Sequence, residues 1–451
     1  MNVDEQTGWW WLPGREDRKV PGVLTFDPER GGKLTLIGGL MEVEEVATAV
    51  TRNGETSMAI GEDEIEAAGT YDRVLGIADR KPVTLEQCIE VHRLGGMFAG
   101  TTKQIIGVGR ILHGAQFGSG EAGGDGLQVG LDLLTEWTQR SGVTGNVKLE
   151  EGQEPLYTME GRRLPTDWIE LDGGGRLGLR HSIRAEMDVT APALEQVFKF
   201  ELDYPDVRAA GELIDVASDL QDLVSIGTGR TAAFRQVDIF HPDVYQEAST
   251  GRWRKPIAVH AQWTAEDAQR SGRWRSHETH FGLEDLGGMQ GVAKWLVVAR
   301  KHRETLGKVM ATRYAASMYV TDRYYNRVAS LEDLNRKETG DGNQTVSLNR
   351  RLTRCAKLAG QPFTDLVLNV DEWVKIVKSD RDDIGHHFGR RQSQHTTEQF
   401  YLSESTYWLY VLCLLRLADA PDAVFTRITG NHRFEGLARR LAKFIPPPAT
   451  P

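Results

Sequence analysis

The apolar pattern of this 451-residue chain changes its period once, near Asp285. Before that point apolar residues come in short runs separated by glycine-rich turns. Beyond it they recur every three to four residues. Alternation fits strands and a 3.6-residue repeat fits helices, so one chain must build two kinds of core. A chain of this length also exceeds one ordinary core and suits two or three domains.

Charge divides at the same place. The total of −10 argues against nucleic acid as a partner, but residues 285–451 carry a net +7 and residues 1–284 a net −17. Asymmetry of this kind assigns the two parts different partners. With 40% hydrophobic and 26% charged residues the chain has the profile of a soluble globular protein. Its longest apolar run, Tyr407 to Leu415, spans nine residues and ends at Arg416. A bilayer-spanning helix needs about 20, so a membrane protein is not expected. The acidic start, Met1 to Gly8, has no secretory pattern. Cys88, Cys355 and Cys413 are too far apart for a disulfide framework or a Cys-x-x-Cys knuckle. A reducing cytoplasm is the expected location.

In the first part, Val20–Phe26 and Lys33–Ile37 form one expected hairpin, and Asp72–Ile77 with Val83–Leu85 a second. Gln104–Leu112, Trp168–Leu171, Leu177–Met187, Val197–Leu202, 251–262 and 272–281 read as further strands. Leu127–Arg140 and Ala209–Leu223 carry helical spacing. Many short strands with glycine-rich turns predict a sandwich or barrel-like β domain. After Asp285, helices are expected around Val292–Val309, Tyr314–Leu331, Val346–Leu358, Phe363–Asp380 (with Thr364 as its N-cap) and Glu398–Leu417. The last is apolar nearly all round from Tyr407, as a central buried helix would be. The fold class is therefore α+β, with a β-rich region over 1–284 and an all-α bundle over 285–451.

Several stretches invite a functional reading and are better explained by structure. Gly118–Gly123 matches Gly-x-Gly-x-x-Gly between an expected strand and an expected helix. It carries Glu121, with Asp125 close behind, and acidic side chains repel a pyrophosphate, so a surface loop is the preferred reading. Gly173–Gly178 sits in a hairpin turn. His277 and His280 lack supporting metal ligands and read as surface histidines, so no metal and no cofactor is expected. Gly-Arg-Trp-Arg occurs at 251–254 and 272–275, and two edges of one hairpin with Trp253 and Trp274 packed inward explain the repeat. Arginine interleaved with tryptophan also suits nucleic acid. Trp9-Trp10-Trp11 reads as an anchor for the N-terminus.

Arg381-Asp382-Asp383-Ile384-Gly385-His386-His387 is different. It follows an amphipathic helix and precedes a buried one, so Arg381 and His386 are expected to flank a break between helices. Imidazole titrates near neutral pH and serves as general acid or base. Guanidinium stays charged and grips two phosphate oxygens. Other arginines precede a histidine at the same spacing, among them Arg176/His181, Arg254/His260, Arg390/His395 and Arg427/His432, but of these arginines only Arg381 is followed by an acidic residue. The structural alternative is an inter-helix turn in which Arg381 caps a helix C-terminus.

Arg381–His386 resembles the Arg-x(4–6)-His signature of HEPN domains, many of which are metal-independent ribonucleases. Val20-Pro21-Gly22-Val23-Leu24-Thr25-Phe26, Val83-Thr84-Leu85-Glu86-Gln87-Cys88 and Tyr407-Trp408-Leu409-Tyr410-Val411-Leu412 extend the likeness to most of the chain. As a whole it resembles ApeA-type abortive-infection proteins, anti-phage effectors with a β-rich N-terminal domain and a C-terminal HEPN domain. The resemblance implies a catalytic set of Arg381, Asp382 and His386, with His387 as the rival histidine and Asp382 orienting the histidine or a partner's arginine. Arg390 and Arg391 would extend an RNA-binding cleft or form a solvated pair. It further implies a homodimer, an RNA substrate, a phage-derived trigger and an acidic N-terminal region that senses infection or restrains the nuclease. A non-catalytic RNA- or nucleotide-binding module is the alternative.

Overall fold

The computed structural model describes residues 3–28, 30–41, 47–52, 55–60, 69–94, 103–118, 120, 123–149, 154–249, 251–262, 278–340, 346–386 and 396–447. Strands β1 (Val3–Trp11), β2 (Val20–Asp27), β3 (Gly31–Ile37), β4 (Ala47–Arg52) and β5 (Glu55–Ile60) come first. They are followed by β6 (Thr70–Ala78), β7 (Lys81–Leu94), β8 (Lys103–His113), β9 (Gly124–Leu131) and the short helix α1 (Leu134–Thr138). Next come β10 (Val143–Lys148), β11 (Leu156–Gly161), β12 (Asp167–Glu170), β13 (Arg176–Glu186), β14 (Ala193–Arg208) and the helix α2 (Ala210–Thr228). The strands β15 (Phe234–Phe240), β16 (Tyr245–Ala248), β17 (Gly251–Arg254) and β18 (Ile257–Ala261) complete the β-rich region. Helices α3 (Gly288–Tyr314), α4 (Val320–Thr339), α5 (Leu348–Ala359) and α6 (Gln361–Val367) then lead to α7 (Val370–His386), α8 (Thr396–Leu417), α9 (Asp422–Thr429) and α10 (His432–Leu441). The α+β class is as expected, and of the two β architectures the sequence left open, sandwich or barrel, the barrel is the one present.

One compact unit comprises Met1–Gln128, Asp206–Leu213 and Gln236–Thr264. Its centre is a closed antiparallel barrel of six strands, β8-β3-β2-β1-β6-β7, with β7 returning to pair with β8. Closure leaves no exposed sheet edge among those strands. Alternate residues point inward, so Leu34 and Leu36 of β3 join Trp10, Leu24, Val74, Leu85, Ile106 and Val108 in one core. The Trp10 ring lies so close to Gly76 that an added Cβ there would stand 2.2 Å from it, which accounts for the glycine. The two hairpins expected at 20–37 and 72–85 form as β2–β3 and β6–β7. The second turns on Asp79 and Arg80, both at positive φ (48° and 65°), the backbone of a type I′ turn. Of the three N-terminal tryptophans, Trp10 and Trp11 are buried and anchor β1 as expected.

The second unit comprises Val129–Pro205, Ile214–Arg235 and Ala265–Pro451, and so contains Asp285 in its interior. It holds the hairpin β10–β11, the antiparallel strands β12-β13-β14 and the helices α3–α10. From Leu409 to Leu415 every residue of α8 is fully buried, the central helix that its all-round apolar sequence requires. Residues of α2 bind α3 here. The Trp295 indole donates to the Asp219 carbonyl at 2.8 Å, and the Arg303 guanidinium pairs with Asp219 at 2.5 Å and Asp215 at 3.0 Å.

Three expectations need correction. The helix over Leu127–Arg140 is a strand, β9, followed by the short α1. Leu127, Val129 and Leu131 are buried at every second position, the period of a strand, and the helical spacing of Leu127, Leu131, Leu134 and Trp137 shares two of those residues with it. Phe363–Asp380 is two helices rather than one. The chain breaks at Leu368, at φ +59°, and Asn369 restarts it by accepting the Glu372 amide on Oδ1 at 3.1 Å. Thr364 therefore lies inside α6, where its hydroxyl reaches back toward the Gly360 carbonyl, instead of capping the long helix. Finally, β17 pairs with β16 and leaves Trp253 60% exposed, so it is not an inward-packed edge of a 251–254/272–275 hairpin. Residues 272–277 lie outside the described residues, and 278–281 form no strand.

Candidate functional site

The candidate site is carried by α7, and sequence explains how that helix is held. Asn369 caps it, and Asp371 and Glu372 in the first turn complement its dipole. Trp373, Val374 and Val377 are buried along one face. The Trp373 indole donates to Ser405 Oγ of α8 at 2.8 Å, and its ring meets Phe363 of α6 edge-on at 4.9 Å. From α4, the buried Tyr324 hydroxyl donates to the Val377 carbonyl at 3.0 Å. Three neighbouring helices thus fix α7 and leave Lys375, Lys378 and Arg381 on its accessible side.

Arg381 and Asp382 sit within the last two turns of α7, which continues to His386. The expected break between Arg381 and His386 is absent, and Arg381, five residues before the end, does not cap the helix. Nothing from Arg381 to Ile384 interrupts helical hydrogen bonding, and Gly385 is the first residue with weak helix propensity. Asp382 is engaged from two sides, by Lys378 Nζ at 3.0 Å and by Arg381 Nη1 at 3.5 Å. The Lys378 hydrogen bond first, and the Arg381 charge after it, hold the Asp382 carboxyl below the usual carboxylate range, so it is ionised at neutral pH. The Arg381 guanidinium also stands 6.0 Å from the centre of the Tyr325 ring on α4. His386 ends α7 four residues after Asp382, and positions at that spacing follow one another along a helix face. His387, Arg390 and Arg391 lie outside the described residues.

The arrangement brings a guanidinium and an ionised carboxylate together on a rigid helix, beside an aromatic ring from a second helix. Such a set can bind a phosphate and orient a neighbouring imidazole. Lys378 and Tyr325 were not singled out in the sequence. Lys378 carries a readable signal, its i,i+4 spacing to Asp382. Tyr325 carries none, because only the packing of α4 against α7 brings it near.

The competing motifs resolve into structural roles. Arg176 and His181 both lie along β13, where Arg176 pairs with Asp203 at 2.8 Å and buried His181 accepts the Leu164 amide on Nδ1 at 3.0 Å. Arg427 and His432 fall on separate helices, α9 and α10. His280, expected at the surface, is buried instead. Its Nδ1 donates to the Ile226 carbonyl at 3.0 Å, its ring stands edge-on to Trp408, and burial pushes its pKa down to about 4. His277 lies outside the described residues. Gly118–Gly123 connects β8 to a strand, β9, and not to the helix a dinucleotide loop requires. The Gly118 carbonyl accepts from Arg73, and a Cβ at Gly123 would stand 2.6 Å from the Ala210 amide nitrogen, so close packing explains that glycine. Gly173–Gly178 covers the β12–β13 turn, with Gly173, Gly174 and Gly175 all near φ +90°.

Among the described residues, no group of three or more His, Cys, Asp or Glu side chains is placed to hold a metal ion. Nor, among them, is any helix long and apolar enough to cross a membrane. No curated protein and no solved structure matches the chain. A family model, ApeA N-terminal domain 1, matches residues 5–293, from β1 into the first turns of α3. That span is well over half of the 451 residues and leaves α7 beyond its end. The chain belongs to the ApeA N-terminal domain 1 family.

Proposed function

We propose that this protein acts in anti-phage defence and that its helical region, α3–α10, is a HEPN-type endoribonuclease with Arg381, Asp382 and His386 as its active residues. Membership of the ApeA family supports the defence role. The nuclease reading rests on one observation: Arg381 and an ionised Asp382 stand together on α7, with His386 one turn further along.

In this reading the imidazole of His386 removes the proton of a 2′-hydroxyl. The freed oxygen attacks the adjacent phosphorus, the bond to the 5′-oxygen breaks, and an acid returns a proton to that leaving oxygen. The products are a 2′,3′-cyclic phosphate and a 5′-hydroxyl, with no oxidant or metal needed for the balance. Arg381 stabilises charge developing on the phosphate oxygens. Asp382 orients the histidine. Two copies facing each other would supply base and acid from opposite sides, with Arg390 and Arg391 along the basic cleft and His387 as the alternative donor. The protein then works in the cytoplasm, where cleavage of RNA on a phage-derived trigger halts growth.

The test is RNA cleavage in EDTA by wild type, Arg381→Ala and His386→Ala. A fall of at least a hundredfold in both variants, with cyclic-phosphate ends from wild type, is expected. Equal activity in all three removes the site assignment. RNA binding without cleavage by wild type supports the non-catalytic module instead.

A further inference from the structure

We infer that Tyr325 is a base-stacking residue that directs this site to single-stranded RNA. The inference rests on the nuclease reading for its substrate and goes beyond it in naming a recognition element on another helix.

Neighbouring tyrosines on α4 have opposite fates. Tyr324 is buried, and its hydroxyl ties α4 to α7 through the Val377 carbonyl. This fixes the direction in which the next side chain leaves the helix. Tyr325 keeps 42% of its surface exposed, and the Arg381 guanidinium lies over its ring at 6.0 Å from the centre. Arg381 is itself one-third exposed. The pair therefore presents a partly exposed aromatic ring with a phosphate-binding fork over it.

Those two chemistries match the two parts of a nucleotide. A base stacks on an aromatic face without regard to sequence, and guanidinium grips the backbone phosphate. Stacking demands an unpaired base, because a base in a duplex is covered on both faces by its neighbours. The Asp382 carboxylate beside Arg381 repels a free anion but leaves the Tyr325 ring unaffected. Affinity from stacking then adds to a site whose local charge is partly cancelled.

The experiment measures binding of a fluorescent single-stranded RNA and of the matching duplex to full-length His386→Ala, with and without Tyr325→Ala or Tyr325→Trp. Cleavage by the single variant Tyr325→Ala, with His386 intact, gives KM and kcat. Tyr325→Ala is expected to weaken single-strand binding about ten- to a hundredfold, the range for one stacked base, while duplex binding is unchanged and Tyr325→Trp restores it. KM rises by a similar factor and kcat changes little. A merely structural tyrosine would lower thermal stability and affect both RNAs alike, which overturns the inference. Undiminished single-strand binding by Tyr325→Ala overturns it alone. Wild type that neither binds nor cleaves any RNA overturns this inference together with the nuclease reading.

Discussion

The Tyr314 hydroxyl of α3 donates to the Asp222 carboxyl of α2 at 2.5 Å, and both side chains are buried. Ser225 lies 3.3 Å from the same hydroxyl. Asp222 falls within the span that matches the ApeA model and Tyr314 lies beyond it, so this contact joins the family region to the helices that follow. Tyr314→Phe keeps the ring and removes the hydroxyl that donates to that carboxyl, leaving a buried polar group short of a partner. A loss of about 1–3 kcal/mol is expected, read as a lower urea midpoint with an unchanged slope.

The same carboxyl makes stability depend on pH in a direction opposite to that of most acidic groups. Burial raises the Asp222 pKa well above its ordinary value of 3.8, which means the folded chain holds that proton more tightly than the unfolded one. Its contribution is complete below pH 3.8 and declines as pH rises toward the folded value. Asp222→Asn keeps an acceptor for Tyr314 and cannot ionise. Wild type should therefore lose stability relative to Asp222→Asn between about pH 5 and pH 8. Asp219, itself raised by burial to about 6 even against the Arg303 charge, is present in both proteins, and its charge pushes Asp222 in the same upward direction. An equal difference at the two pH values would show that Asp222 does not titrate in this way.

Glu404 of α8 serves two guanidinium groups at once, the partly exposed Arg313 of α3 and the buried Arg327 of α4, each at 2.9 Å. Burial alone would raise its pKa, yet the two arginines hold it below the ordinary value. Arg327 is fully buried, and burial pulls it down to about 10. Glu404→Gln keeps the shape and removes the charge, leaving the buried Arg327 cation without its counter-charge and beside that of Arg313. About 3–5 kcal/mol should be lost, the cost of a broken buried pair. The Lys375–Glu372 pair on the surface of α7 is the control: Glu372→Gln should cost under about 1 kcal/mol in the same denaturation series.

Local chemistry made some of this legible and left the rest hidden. The hairpins β2–β3 and β6–β7 follow from alternation and turn residues, and α8 follows from an apolar run too short for a membrane. The α6–α7 break escaped because Leu366, Trp373 and Val377 keep one apolar spacing across it, while the positive φ at Leu368 leaves no mark in the sequence. His280 was misread for a related reason: its partners, the Ile226 carbonyl and Trp408, are 54 and 128 residues away along the chain. At the candidate site, Arg381 and Asp382 are readable as a local motif. Tyr325 is not, since it approaches Arg381 only through the tertiary bond from Tyr324 to Val377.

Lys378 separates the stability of α7 from its chemistry. Its pair with Asp382 spans one exposed helical turn, so Lys378→Ala should lower stability by no more than about 0.5 kcal/mol. Its effect on Asp382 is larger in kind, because the Lys378 hydrogen bond is the main influence holding that carboxyl down. Without it the carboxyl protonates at higher pH. If the ionised carboxylate orients the active histidine, the acid limb of the cleavage profile of Lys378→Ala should move to higher pH. The alkaline limb should stay in place, and activity near pH 8 should be close to that of wild type. Arg381 remains beside Asp382 in this variant, so the carboxylate is still ionised at neutral pH and the shift is confined to acid solution. An acid limb that does not move would show that the ionisation of Asp382 plays no part in the reaction, leaving Arg381 and the histidine to carry it.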